Sequence, residues 1–365
     1  MAAPVIVVKI GTSSITDAAG RIDGGAITKL CTEVADVRAG GAKVAVVTSG
    51  AIAAGLPVLG LDPRPSDPAV LQAVSAVGQG RLLGEYERAL AVHGLIGGQV
   101  LLAPLDFVDR RQYLHARQTL GVLLDLGVVP IINENDAVAD DEIRFGDNDR
   151  LAALVAHLLY ADLLLLLTDT PGLLSADPRV EAGASLIEQI VEGDVALEAL
   201  AGGAGSARGS GGMASKLAAG RMAAWSGVRA VIAAAQRPGV LAEAVAGTEG
   251  VGTVFVPRAQ RLGARKLWIA FAVASSGTVV VDDGARRAVL ERGVSLLPAG
   301  VVDVAGTFDA DDAVEIAGTD GVVFAKGLSR HPAPRLKELA GRRSVDLPLD
   351  VPHEVIHRDD LVLMP

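Results

Sequence analysis

The sequence predicts an α/β protein: a mostly parallel central sheet sandwiched by helices, followed by a small, mainly β domain. Three observations predict it. Short β-branched runs alternate with longer helical patterns over roughly the first two thirds of the chain, the signature of right-handed βαβ crossovers. Hydrophobic residues make up 50% of the 365 positions and aromatics only 3%, so the apolar content is Ala, Val, Leu and Ile, which suits buried parallel strands under Ala-rich helices. The pattern then breaks at a polar, basic stretch, 257–266, beyond which short strands and turn signals take over.

Taken in order, strands are expected at 5–10, 43–48, 99–102, 128–132, 163–168 and 228–233, where β-branched and leucine runs end in turn residues. Helices are expected between them at 26–39, 68–93, 110–126, 149–161 and 213–227. After the break, strands are expected at 277–281, 301–304, 313–316 and 322–324, with one helical segment at 335–340. The domain boundaries that follow are 1–257, a linker over 258–275, and a small domain over 276–365.

Bulk properties exclude several classes. With 33 Lys+Arg against 43 Asp+Glu the net charge is −10, opposite to the basic excess of a protein that lives on nucleic acid. The single cysteine, Cys31, forms no intramolecular disulfide, and no Cys/His cluster has zinc spacing. The first residues lack a basic n-region and a signal h-region, so the chain reads as cytoplasmic. The long uncharged stretch 44–61 is interrupted by Gly50, Gly55 and Pro57 and reads as strand, turn and helix start rather than a membrane span.

In parallel sheets ligands bind beyond the carboxyl ends of the strands. The unusual polar clusters of the first 220 residues fall at such ends or in a glycine-rich loop. The first strand ends in Lys9, Gly11 and the hydroxyls of Thr12, Ser13 and Ser14; glycine admits a phosphate to the backbone and lysine adds a point charge. The spacing is not that of a Walker A loop, and the alternative is a lysine snorkelling from a strand end. The second strand runs into Thr48-Ser49-Gly50 and a helix, where the amides favour an anion and Ser49 alternatively serves as an N-cap. Asn133-Glu134-Asn135-Asp136 follow a buried strand and suit a zwitterion, carboxylates for an ammonium and amides for carboxylates; an ordinary turn, which also uses Asn and Asp, is the alternative. Asp147, Asn148 and Asp149 open a helix. Asp147 or Asn148 caps it in the bland reading, whereas Asp149 would be repelled by phosphates unless it orients cations. Thr168-Asp169 end the fifth strand and suit a nucleotide's ribose or base; Pro171 and Gly172 read as an ordinary turn. A glycine-rich loop ends in Ser210-Gly211-Gly212-Met213-Ala214-Ser215-Lys216. A lysine in the first turn of a helix is unfavourable unless polyphosphate lies against the amides. Together these groups suit a kinase that works by electrostatics and placement.

Lys9-Ile10-Gly11-Thr12-Ser13, Thr48 to Gly55, Ala76-Val77-Gly78-Gln79, Ile132 to Asp136, Gly146 to Asp149 and Gly211-Gly212-Met213 with Lys216 resemble, in this order, the glutamate 5-kinase family. The C-terminal Arg292 to Val301 and Val355 to Asp360 resemble the PUA domain of its bacterial members. The resemblance implies an amino-acid-kinase fold and the reaction of MgATP with L-glutamate to give L-glutamyl 5-phosphate, the first step of proline biosynthesis. It implies that Lys9 and Lys216 contact ATP phosphates, that Thr168, Asp169 and Ser210 to Lys216 line the nucleotide site, and that Ser49, Asp136 and Asn148 contact glutamate. Feedback inhibition by proline and a homo-oligomer (dimer or tetramer) are also implied, and a glutamyl-phosphate reductase is a candidate partner for the labile product. Gly50, Asn133 and Asp147 join the expected substrate set, Gly11 the nucleotide set, and no metal ligand is assigned. Two departures stand out: Leu174-Ser175 where a Tyr is common, and His331-Pro332 in place of a Tyr-Ser-like pair. The second, with the net-acidic small domain, leads us to read that domain as structural or regulatory rather than RNA-binding. The rival within the class is a kinase for N-acetylglutamate, aspartate or a nucleotide. The acidic 133–136 loop favours a free amino group.

Overall fold

The computed structural model describes residues 3–103, 105–108, 110–138, 148–176, 183–191, 212–258, 262–343 and 352–364. The chain divides into two compact units, Met1–Arg261 and Leu262–Pro365.

The first unit is built on an eight-stranded sheet. Its strands are β1 (Val5–Ile10), β2 (Lys43–Thr48), β3 (Gly97–Leu102), β4 (Val129–Glu134), β5 (Leu163–Thr168), β6 (Gln189–Ile190), β7 (Arg229–Ala234) and β8 (Thr253–Phe255). Their spatial order is β3-β4-β2-β1-β5-β7-β8-β6, and only the β7–β8 pair is antiparallel. The helices are α1 (Gly24–Ala39), α2 (Ala51–Val58), α3 (Pro68–Ala91), α4 (Leu105–Val108), α5 (Arg110–Asp125), α6 (Asn148–Leu158), α7 (Met213–Trp225) and α8 (Val240–Ala246). Every residue of β4 and β5 is buried, as expected of parallel strands covered on both faces.

Register and pleat position the site. Ile10 pairs with Thr48 of β2 and Leu167 of β5, so the carboxyl ends of these strands lie level. Along β1, Ile6, Val8 and Ile10 join the apolar cluster formed with α1 and α3. Side chains alternate along a strand, so Val7 and Lys9 face the opposite side, where α6 packs on β1. Lys9 is thereby a buried cation, 3% exposed, in the middle of the sheet rather than a snorkelling surface lysine.

Two glycines of the sequence motifs serve helix packing. A Cβ on Gly78 of α3 would stand 1.8 Å from the Ala51 carbonyl oxygen, and one on Gly55 of α2 2.2 Å from that of Val74. Only bare backbone permits this α2–α3 crossing.

In the second unit, β9 (Gly277–Val281), β10 (Val301–Gly306), β11 (Ala313–Gly318), β12 (Val323–Leu328) and β13 (Leu361–Leu363) form a sheet ordered β10-β9-β11-β12-β13. Among the described residues three α-helices accompany it: α9 (Ala264–Leu267), α10 (Asp283–Arg292) and α11 (Ala333–Leu339). The segment expected as a linker differs from expectation. Ala264–Leu267 and the π-helical Trp268–Ala272 are helical, and Leu267 and Ile269 are fully buried, so apolar burial ties this stretch to the second unit. Helix α10 escaped the sequence reading because Val289 is its only buried residue. Its signals are at its ends: Asp282 caps it by accepting from the Ala285 amide at 2.7 Å, and Gly293 closes it at φ 58°.

Candidate active site

Asp149 lies in the first turn of α6 and is fully buried. One carboxylate oxygen, Oδ1, is 2.5 Å from Lys9 Nζ, and the other, Oδ2, is 3.0 Å from Lys216 Nζ. Ser215 Oγ also donates to Oδ2, at 2.9 Å. Lys216 belongs to the first turn of α7 and is 7% exposed. Two helix N-termini therefore converge on one point, and both dipoles favour negative charge there. Burial by itself would raise the Asp149 pKa; the two ammonium groups outweigh it and hold the carboxyl below the usual aspartate value. Among the described residues two buried cations here face one buried anion, an excess of positive charge that a further anion would balance.

Around this triad lie the other residues expected at the nucleotide side. Gly11 follows β1, and a Cβ there would sit 3.5 Å from Lys9 Nζ, so a longer side chain would stand over the ammonium. Thr168, buried at the end of β5, donates from Oγ1 to Oδ1 of exposed Asp169 at 3.0 Å. Gly212 is the N-cap of α7, followed by Met213, Ala214 and Ser215 in its first turn. Ser210 and Gly211 lie outside the described residues.

A second polar group occupies the ends of β2 and β4. Asn148 opens α6, yet its side chain does not cap the helix. Its Nδ2 donates toward the Thr48 carbonyl at 2.6 Å, Asn133 Oδ1 at 2.7 Å and Ser49 Oγ at 3.0 Å. Asn133 Nδ2 in turn donates to Gln79 Oε1 at 2.7 Å, and Ser75 Oγ donates to Asp136 Oδ2 at 2.8 Å. Asn133 and Glu134, expected in a loop, are the last residues of β4, because they pair with Leu101 and Leu102 of β3. Ser49 is not a helix cap: Gly50 occupies that position at φ 105°, where a Cβ would also press on Ile15 at 3.0 Å. Asp147 lies outside the described residues.

Sequence reasoning grouped Lys9, Lys216 and Asp149, and these meet within hydrogen-bonding distance. It also singled out Ser49, Asn133 and Asn148, which share one network. It assigned no role to Ser75 or Gln79, although Gln79 stood in the motif Ala76-Val77-Gly78-Gln79; the two form an i,i+4 polar pair that the structure buries on α3.

A lysine–aspartate–lysine cluster lies at the carboxyl edge of the parallel sheet, and comparison with known proteins gives the class. The model of the amino acid kinase family matches residues 4–234 and that of the PUA domain residues 277–348. The chain belongs to the amino acid kinase family; it is an enzyme, a phosphotransferase. Within the family it aligns from end to end with proteins named glutamate 5-kinase. That of Bifidobacterium adolescentis is 46% identical over 367 residues, 99% of this chain and 96% of the relative. That of Pelobacter propionicus is 43% identical over 363 residues, 98% and 97%. A solved carbamate kinase from Giardia lamblia, bound to AMP-PNP, superposes with a TM-score of 0.52 at 17% identity over 70% of this chain and 99% of that one, a likeness of fold.

Proposed function

We propose that the protein transfers the γ-phosphoryl group of ATP to the side-chain carboxylate of L-glutamate, giving ADP and L-glutamyl 5-phosphate, the first step of proline biosynthesis. The observation that carries the reading is the buried Lys9–Asp149–Lys216 cluster with its excess positive charge, in a chain 43–46% identical to glutamate 5-kinases.

The substrate carboxylate has an ordinary pKa of about 4.3 and is ionised at neutral pH, so no general base is needed. One of its oxygens attacks the γ-phosphorus, the bond to the β–γ bridging oxygen breaks, and ADP leaves with that electron pair. The obstacle is bringing one anion against another. Lys9 and Lys216, aimed by Asp149, offset that repulsion and stabilise the equatorial oxygens of the transferring group. Gly11, Thr168, Asp169 and the segment from Ser210 through Lys216 hold the nucleotide.

Mg²⁺ neutralises charge building on the β and γ phosphates. Both Asp149 oxygens already face ammonium groups, and among the described residues no group of three or more His, Cys, Asp or Glu could hold a metal ion. This donor set fits an ion held by phosphate oxygens and water. Ser49, Gly50, Asn133, Asp136, Asp147 and Asn148 receive glutamate.

We further propose a cytoplasmic homo-oligomer (dimer or tetramer) inhibited by proline, whose labile product passes to a glutamyl-phosphate reductase. Among the described residues no helix is long and apolar enough to cross a membrane. The test is trapping of the acyl phosphate with hydroxylamine. MgATP is supplied with L-glutamate, N-acetyl-L-glutamate or L-aspartate, with and without proline. Hydroxamate from glutamate alone, falling as proline is added, is expected; turnover of N-acetylglutamate or aspartate instead would overturn the substrate assignment.

A further inference from the structure

The polar network at the ends of β2 and β4 has a direction, and its origin is on α3. The Glu134 backbone amide donates to Asn133 Oδ1 at 2.9 Å, which pins that oxygen as an acceptor and turns Nδ2 of the same amide toward Gln79. Gln79 must then accept with Oε1, since its other face would set one NH₂ group against another. With Asn133 Oδ1 fixed, Asn148 has to present Nδ2 to it, which leaves Asn148 Oδ1 as an acceptor on the opposite edge. An amide nitrogen accepts no hydrogen bond, so the Ser49 hydroxyl, 3.0 Å from Asn148 Nδ2, directs its own proton elsewhere.

The order of donors and acceptors is thus complementary to an amino acid. Ser49 offers a donor for a carboxylate, and Asn148 Oδ1 an acceptor for an ammonium. Gln79 is 7% exposed, and its buried Nε2 has no partner among the described residues, a costly state that an arriving acceptor or an ordered water relieves. One turn earlier, buried Ser75 holds the Asp136 carboxylate at 2.8 Å from the same face of α3.

We infer that Gln79 and Ser75 are positioning residues for the amino-acid substrate: through Asn133 and Asp136 they set which atoms of the pocket donate and which accept. This rests on the amino-acid-kinase reading above. Neither residue touches the lysine–aspartate cluster, so their effect belongs to the amino acid and not to the nucleotide.

The experiment is steady-state kinetics on the full chain with Gln79→Met, Ser75→Ala, Asn133→Ala and the double variant Gln79→Met/Asn133→Ala. The amino acid is whichever one the wild type turns over, so failure of the glutamate assignment shows in the wild type alone. Gln79→Met is expected to raise the amino-acid KM about tenfold while leaving the ATP KM within about twofold, and Ser75→Ala to raise the amino-acid KM about threefold. The double variant is expected to be no worse than Asn133→Ala alone, because the two act in series. Unchanged amino-acid KM values, equal rises for ATP, or additive losses in the double variant would overturn the inference. Should Gln79→Met not fold, Ser75→Ala decides it, an unchanged amino-acid KM again counting against it.

Discussion

At the scale of single residues the decisive group is Asp149, fully buried between two lysines. Replacing Lys216 with alanine removes one cation aimed at the transferring phosphoryl group. We expect kcat to fall by about 10²–10³ with little change in the glutamate KM, as for loss of one transition-state donor; an unchanged kcat would remove Lys216 from the catalytic set. Asp149→Asn leaves two buried ammonium groups facing a neutral amide, and a loss of about 3–5 kcal/mol in urea unfolding is expected unless an anion is supplied. Its pH behaviour follows from a carboxyl held below its usual value. The stabilisation is present above the unfolded pKa of 3.8 and is lost only as pH falls through the lower folded value. Acid titration of the wild type from pH 7 to 4 should therefore leave this contribution intact. Lys9 and Lys216 were legible as charges at a strand end and a helix start. Asp149 was legible as a carboxylate that orients cations; that each of its oxygens takes one lysine was not, because the three stand on a strand and two helices far apart in the chain.

At the scale of elements, α3 has two faces with different tasks. Gly78 lets it cross α2 at a distance no side chain allows, and Ser75 and Gln79 reach the end of β4. Gly78→Ala drives a methyl group into the Ala51 carbonyl. A loss of at least about 1–3 kcal/mol is expected in denaturant unfolding, with a rise in glutamate KM as α3 shifts. The mirror case is Cys31 on α1, whose thiol burial pushes up to about 12. It should resist a disulfide reagent at pH 8 in the native state and react once the first unit unfolds; fast reaction in native buffer would contradict the packing of α1. In sequence Gly55 reads as part of a turn and helix start and Gly78 as a residue inside the 68–93 helix; their packing role is not legible, since spacing within one helix says nothing about which backbone lies opposite.

For the whole molecule, a chain of net charge −10 carries a locally positive site at the carboxyl edge of its first sheet. The second unit has its own core and its own pH sensitivity. His331, 3% exposed, donates from Nε2 to the Pro352 carbonyl at 3.1 Å, and burial lowers its pKa below 6.5. A buried neutral histidine contributes stability above its unfolded pKa that is lost as pH falls below it. Hydrogen exchange in β9–β13 is expected to quicken between pH 6.5 and 5 after correction for intrinsic rates, and the His331→Gln variant to lose that dependence.

By itself the sequence determined what depends on local periodicity and residue chemistry. The alternation of strands and helices, the break before the second unit and the identities of Lys9, Asp149 and Lys216 were all readable, because each rests on neighbours within one turn or one strand. The ends of elements were less so: β4 runs on through Asn133 and Glu134 because β3 offers them partners, and 264–272 is helical because its apolar side chains are buried. Only the tertiary structure decided which face of β1 carries Lys9, that Asn148 serves the network rather than its own helix, and that Gln79 orients it. Those outcomes depend on register between strands and on the approach of helices distant in sequence, and a hydrogen-bond direction exists only once both of its partners are in place.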